Sequence, residues 1–113
     1  MKRPLEYLKH IRDECQYLLE TVEGLEYESF VADETLKRSF VRSLEIIGEA
    51  SRNVPENFRK IHPAVEWKSM AGMRDVLIHS YFGVDYLIVW DVVSTHVPGL
   101  LAQIEAIIES ENE

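Results

Sequence analysis

The chain has 113 residues and carries 12 Lys plus Arg against 20 Asp plus Glu, a formal net charge of −8. That length leaves room for a single domain spanning 1–113 and excludes a second core. A 46% hydrophobic and 28% charged composition excludes a disordered chain. Cys15 is the one cysteine, which excludes an internal disulfide. With no cleavable leader read in the sequence, the expected location is a reducing cytoplasm. The apolar windows are interrupted by charges, so no membrane association is expected.

The charge is unevenly placed. Residues 1–74 hold all 12 basic groups and 13 acids, whereas 75–113 hold seven acids and no Lys or Arg. Nonspecific nucleic-acid binding draws its affinity from phosphate neutralisation. A general nucleic-acid coat is therefore excluded, and any phosphate contact belongs to the first two-thirds of the chain.

From Pro4 to Glu23, Leu5, Leu8, Ile11, Cys15, Leu18, Leu19 and Val22 recur at three-or-four spacing, which predicts a first helix opened by Pro4 and ended at Gly24. A linker is expected through Ser29. Asp33 then caps a second helix with the stripe Leu36, Phe40, Leu44, Ile47, Ser51 and Val54, stopped by Pro55. After a short connection from Asn57 to Pro63, a third helix is expected from Glu66 to about His79, with Gly83 ending that region. The fourth starts near Asp85 and runs through Leu87, Trp90, Val93, Val97, Leu100, Leu101, Ile104 and Ile108, with a kink or break expected at Pro98. No sustained period-two alternation appears, so the predicted class is all-α, an up-down bundle of four long helices.

The third helix holds a dense polar constellation in an apolar stretch, Arg74-Asp75-Val76-Leu77-Ile78-His79-Ser80-Tyr81. Gly72 nearby is expected to admit a close backbone neighbour. At about 100° per residue, Arg74 and His79 diverge by about 140°, while Arg74 aligns with Tyr81. One regular helix therefore does not bring Arg and His together; a frayed last turn or a two-fold axis between two chains would. The plainer alternative is an Arg paired with an acid and a His closing the helix.

The stretch Trp67 to Tyr81, with Ile46-Ile47-Gly48-Glu49-Ala50, Val89-Trp90-Asp91 and Val97-Pro98, resembles the HepT-like proteins of the HEPN superfamily over nearly the whole chain. The Arg-x4-His-x-Tyr spacing is that family's signature. The resemblance implies a HEPN-like fold and a homodimeric, metal-independent ribonuclease toxin without a cofactor. It is neutralised by a minimal nucleotidyltransferase (MNT) antitoxin that attaches AMP to the motif tyrosine, here Tyr81.

Cleavage of RNA by its own 2′-hydroxyl needs a base, an acid for the leaving 5′-oxygen, and positive charge for the phosphorane. One His cannot serve as both acid and base in the same step, but two chains supply two. His79 of each protomer is accordingly assigned to proton transfer and Arg74 to phosphate stabilisation, with Asp75 as an orienting group.

On the second helix Arg42, Glu45, Glu49 and Arg52 form one stripe, open to two readings: a ladder of ion pairs, or the rim of an RNA groove. Arg42, Arg52 and Lys68 are the candidate RNA contacts. No two of the four His lie three or four residues apart, so no metal site is expected. Cys15, Met70 and Met73 read as core or interface filler. Trp67 and Trp90 are expected to pack together near the motif or to stack a base. Two further function classes stand beside the ribonuclease: a noncatalytic nucleotide- or substrate-binding subunit of a two-part nucleotidyltransferase, and a helical dimerisation module.

Overall fold

The computed structural model describes residues 3–78 and 83–111 and is all-helical, with no strand among the described residues. Among the described residues seven α-helices follow in order: α1 Pro4–Val22, α2 Tyr27–Ala32, α3 Glu34–Asn53, α4 Glu56–Ile61, α5 Trp67–Ile78, α6 Tyr86–Asp91 and α7 Val97–Glu111. A π-helical turn, Val92–His96, joins the last two into one continuous helix.

The expected end signals act locally. Pro4 occupies the first turn of α1. Asp33 accepts the Leu36 amide at 3.0 Å to open α3, and Asp85 accepts the Leu87 and Ile88 amides to open α6. The predicted stripes of α1 and α3 become the core: Leu8, Ile11, Cys15 and Leu18 face Phe40, Leu44, Ile47 and Val54, all buried. The last helix adds Val93, Val97, Ile104 and Ile108.

Several expectations need correction. The linker before Asp33 contains α2, whose Phe30 is driven inward to stack on Phe40 and Trp90. The connection from Asn57 to Pro63 contains α4. Each is six residues long, too short for a helical period to show in sequence. Leu87 is not part of the inward stripe: it is 59% exposed, and Val89 is buried instead. At about 100° per residue Val89, Val93 and Val97 advance by small steps, whereas Leu87 lies about 120° away from Val93. The irregularity expected at Pro98 is present as a distortion within a continuous helix, not as a break. The chain widens into the π turn just before Pro98, where Val97 donates to the Val92 carbonyl.

That last helix, Tyr86–Glu111, is also long and apolar enough to cross a membrane by length and composition, with a mean hydropathy of 1.4. The charges thought to interrupt it are too sparse between Val92 and Ile108, where Glu105 stands alone. Such a test is also passed by core helices, and Val93, Val97 and Ile104 are buried here.

Helix α3 is the hub: α1 packs on one side of it and α5 on another, while α7 lies against α1. The α3–α5 apposition depends on Gly48. A Cβ built there would lie 2.6 Å from the Met70 carbonyl oxygen and closer still to Cβ of Arg74, which is shorter than real contacts. Gly72, expected to be the close-approach glycine, meets nothing within 4 Å. The start of α5 is tied down by Trp67, whose indole N–H donates to the His62 carbonyl at 3.0 Å, and by Gln103 of α7, which donates to the Ala64 carbonyl at 3.1 Å. Trp90 sits with Tyr27 and Phe30, and no ring contact joins it to Trp67 among the described residues.

Replacing Gly48 with Ala should force α5 off α3 and destabilise the fold by about 1–3 kcal/mol, the usual scale for overpacking. Urea unfolding of Gly48→Ala beside Gly72→Ala checks this. An unchanged Gly48→Ala midpoint would show that the helices have slack at this crossing.

Candidate active site

Arg74 lies on the α5 face that meets α3, one turn after Met70 begins the contact and directly over Gly48. Its side chain is about one-quarter exposed and is held from two sides. Nε is ion-paired with Glu49 Oε2 at 2.9 Å, and Nη1 donates to Asp75 Oδ1 at 3.1 Å. Asp75 passes its second oxygen, Oδ2, to the Arg52 guanidinium. Glu49, Arg74, Asp75 and Arg52 thus form one chain of alternating charge that laces α3 to α5. Arg74 Nη2 has no partner among the described residues, so one arm of the planar fork still offers N–H donors.

The α3 stripe is therefore only in part a ladder along its own helix. Arg42 and Glu45 are 3.8 Å apart, but Glu49 and Arg52 turn across to α5. At 100° per residue all four lie on one face, and a neighbouring helix carrying opposite charges outcompetes the i,i+3 partner.

Beside Arg74 opens a groove of about 340 Å³ between α1, α3 and α5. Arg42, Glu45 and Glu49 line it from α3 and Arg74 from α5, while α1 contributes Tyr7 and His10. The last two were missed in the sequence. Their only local signal is a polar aromatic pair three residues apart on the flank of an apolar stripe, and nothing local says that this flank faces Arg74. Lys68 is not brought to this groove. Six residues before Arg74, it lies on a different side of α5 and lines a separate groove with Arg59 and Lys60. His79 and Tyr81 fall outside the described residues.

The two guanidiniums beside Asp75 hold its carboxyl below the ordinary carboxylate range, the hydrogen bond from Arg52 first and that from Arg74 second. Burial pushes the Cys15 thiol up to about 12, with Glu14 and Glu105 adding to the effect, so Cys15 is a neutral core residue and not a nucleophile.

A carboxylate whose folded pKa is lowered stabilises the fold above its unfolded value, and that contribution is lost as pH falls through the folded value. Wild type should therefore be more stable than Asp75→Asn by a constant margin above about pH 5, with the two curves converging in stronger acid. Urea midpoints measured from pH 2 to pH 7 check the sign; a gap that widens toward low pH would contradict the Arg52–Asp75–Arg74 linkage.

Comparison with known proteins places this geometry in a family. The family model described as "Ribonuclease HepT-like" matches residues 6–107. A Caldanaerobacter subterraneus protein named "Putative RNase" is 52% identical over 111 residues, covering 98% of this chain and 99% of its own. A Thermococcus cleftensis protein named "Probable ribonuclease HepT" is 40% identical over 100 residues, covering 88% and 91%. A Methanocaldococcus jannaschii protein named "Putative RNase" is 40% identical over 110 residues, covering 95% and 91%. No solved structure matches the chain at comparable significance. The groove with Arg74 at its edge is carried by a chain that belongs to the HepT-like ribonuclease family, whose activity is that of a ribonuclease.

Proposed function

We propose that the protein cleaves RNA without a metal, as the toxin of a cytoplasmic HEPN/MNT toxin–antitoxin pair, at a site completed by two copies of the chain. The observation that carries the reading is the doubly braced Arg74, whose Nη2 has no partner among the described residues and stands at the edge of a groove. A guanidinium locked by two carboxylates meets a phosphate with little further loss of side-chain freedom, and its remaining N–H donors match a phosphorane oxygen.

In this mechanism the substrate's 2′-hydroxyl loses its proton to one His79 and attacks the adjacent phosphorus. The P–O5′ bond breaks as the partner's His79 protonates the leaving oxygen. The products are a 2′,3′-cyclic phosphate and a 5′-hydroxyl. Asp75 is a positioning residue that holds Arg74 and is itself held by Arg52. The four long helices, α1, α3, α5 and the Tyr86–Glu111 helix, form the proposed up-down HEPN-like bundle. Two such bundles meet about a two-fold axis that brings the motif faces together.

The antitoxin is proposed to write on Tyr81. The Tyr81 phenolate attacks the α-phosphorus of ATP, its proton is lost to solvent, and pyrophosphate leaves. The resulting phosphodiester anion can pair with Arg74 and occupy the space RNA needs.

His79→Ala and Arg74→Ala should each lower RNA cleavage by about 10²–10⁴-fold. EDTA should leave it unchanged. Excess His79→Ala protein, allowed to exchange subunits with wild type, should suppress cleavage, because a hybrid dimer keeps only one of the two His79 side chains. Cleavage that survives His79→Ala or vanishes with EDTA would overturn the chemistry, and light scattering that reports a 13.1 kDa monomer would overturn the shared site. For Tyr81, intact mass after incubation with the partner nucleotidyltransferase, ATP and Mg²⁺ should rise by AMP units in wild type and stay constant in Tyr81→Phe; an equal rise in both would place the acceptor elsewhere.

A further inference from the structure

We infer that the groove beside Arg74 is a subsite for one nucleotide of single-stranded RNA, its base lying against Tyr7 and His10 and its outer phosphate on Arg42. The inference rests on the ribonuclease reading only for the identity of the polymer. A volume of about 340 Å³ lies at the small end of ligand sites, about 300–1,000 Å³, and suits a single nucleotide unit.

The distribution of charge within the groove sets the orientation. Arg74 stands at one end, anchored on Glu49, and Arg42 at the other. Glu49 and Arg42 are two turns apart on α3, about 10 Å along its axis, which leaves room between the cations for a base and its sugar. Arg42 is 72% exposed and its one ion pair among the described residues is with Glu45, at 3.8 Å, so it is free to swing onto a phosphate. Between them Glu45 and Glu49 present acceptor oxygens, which repel a phosphate but accept N–H donors from a base edge.

The wall opposite is aromatic. Tyr7 and His10, three residues apart on α1, face the same way. His10 is exposed and has no partner among the described residues. Unstacked RNA bases are commonly held on such faces, Tyr and His among them.

The test uses the full chain and a short 2′-O-methyl RNA, which cannot be cleaved because its 2′-oxygen is no longer a nucleophile. Fluorescence anisotropy should show His10→Ala binding about tenfold more weakly than wild type, as for loss of one stacking contact. Arg42→Gln should also bind more weakly and reduce the salt dependence by about one phosphate contact. Both side chains are exposed, so thermal melts should be unchanged. Wild-type affinity retained in both variants, or 5′-AMP binding as tightly as the RNA, would overturn the subsite. Cleavage assays on unmodified RNA separate the two readings. A wild-type protein that binds through His10 and Arg42 yet cuts nothing overturns the ribonuclease reading alone, while one that cuts normally with both variants binding as wild type overturns the subsite alone.

Discussion

Everything at the candidate site depends on how closely α5 lies on α3, and that distance is set by the missing side chain at position 48. With hydrogen at Gly48, the Met70 carbonyl and the Arg74 backbone reach a separation that no Cβ would allow. Arg74 then emerges beside Glu49, the residue next to that glycine, and one turn further along α3 Arg52 meets Asp75. A steric fact about one residue thus decides the register of four charged side chains. It also makes α5 dependent on α3, because α3 is the element against which α5 packs most closely among the described residues.

The same four residues reconcile an acidic protein with a polyanionic substrate. The net charge of −8 disfavours nonspecific binding by phosphate neutralisation. Glu49, Asp75, Arg52 and Arg74 balance one another in formal charge, and among the described residues one arm of the Arg74 fork is left without a partner. On the proposed reading, recognition relies on a few fixed donors aimed at one phosphate, with base contacts close by, and not on long-range attraction.

The long C-terminal helix solves a different problem. A proline in mid-helix removes a donor and crowds the preceding turn. The widened turn from Val92 to His96 absorbs that misfit while Val93 and Val97 stay buried. The helix remains continuous and buttresses α1. From near its middle Gln103 reaches the Ala64 carbonyl, and from its far end Glu111 meets His62 at 3.2 Å, so it steadies the entry to α5 without touching the charged network directly.

Sequence alone determined the helical class, the long helices and their caps, because apolar period and capping residues are local and act over a turn or two. It also marked Arg74 and Asp75, since both fall inside one recognisable spacing. Tertiary structure decided which glycine is the contact, placing it at Gly48 and not Gly72, and that the α3 acids pair across helices. It also brought Tyr7 and His10 from α1 to the groove and sent Lys68 to another one. These outcomes depend on the rotation and offset of one helix against another. That geometry is fixed by side-chain interlocking between segments far apart in the chain, and a local pattern of residues carries no record of it.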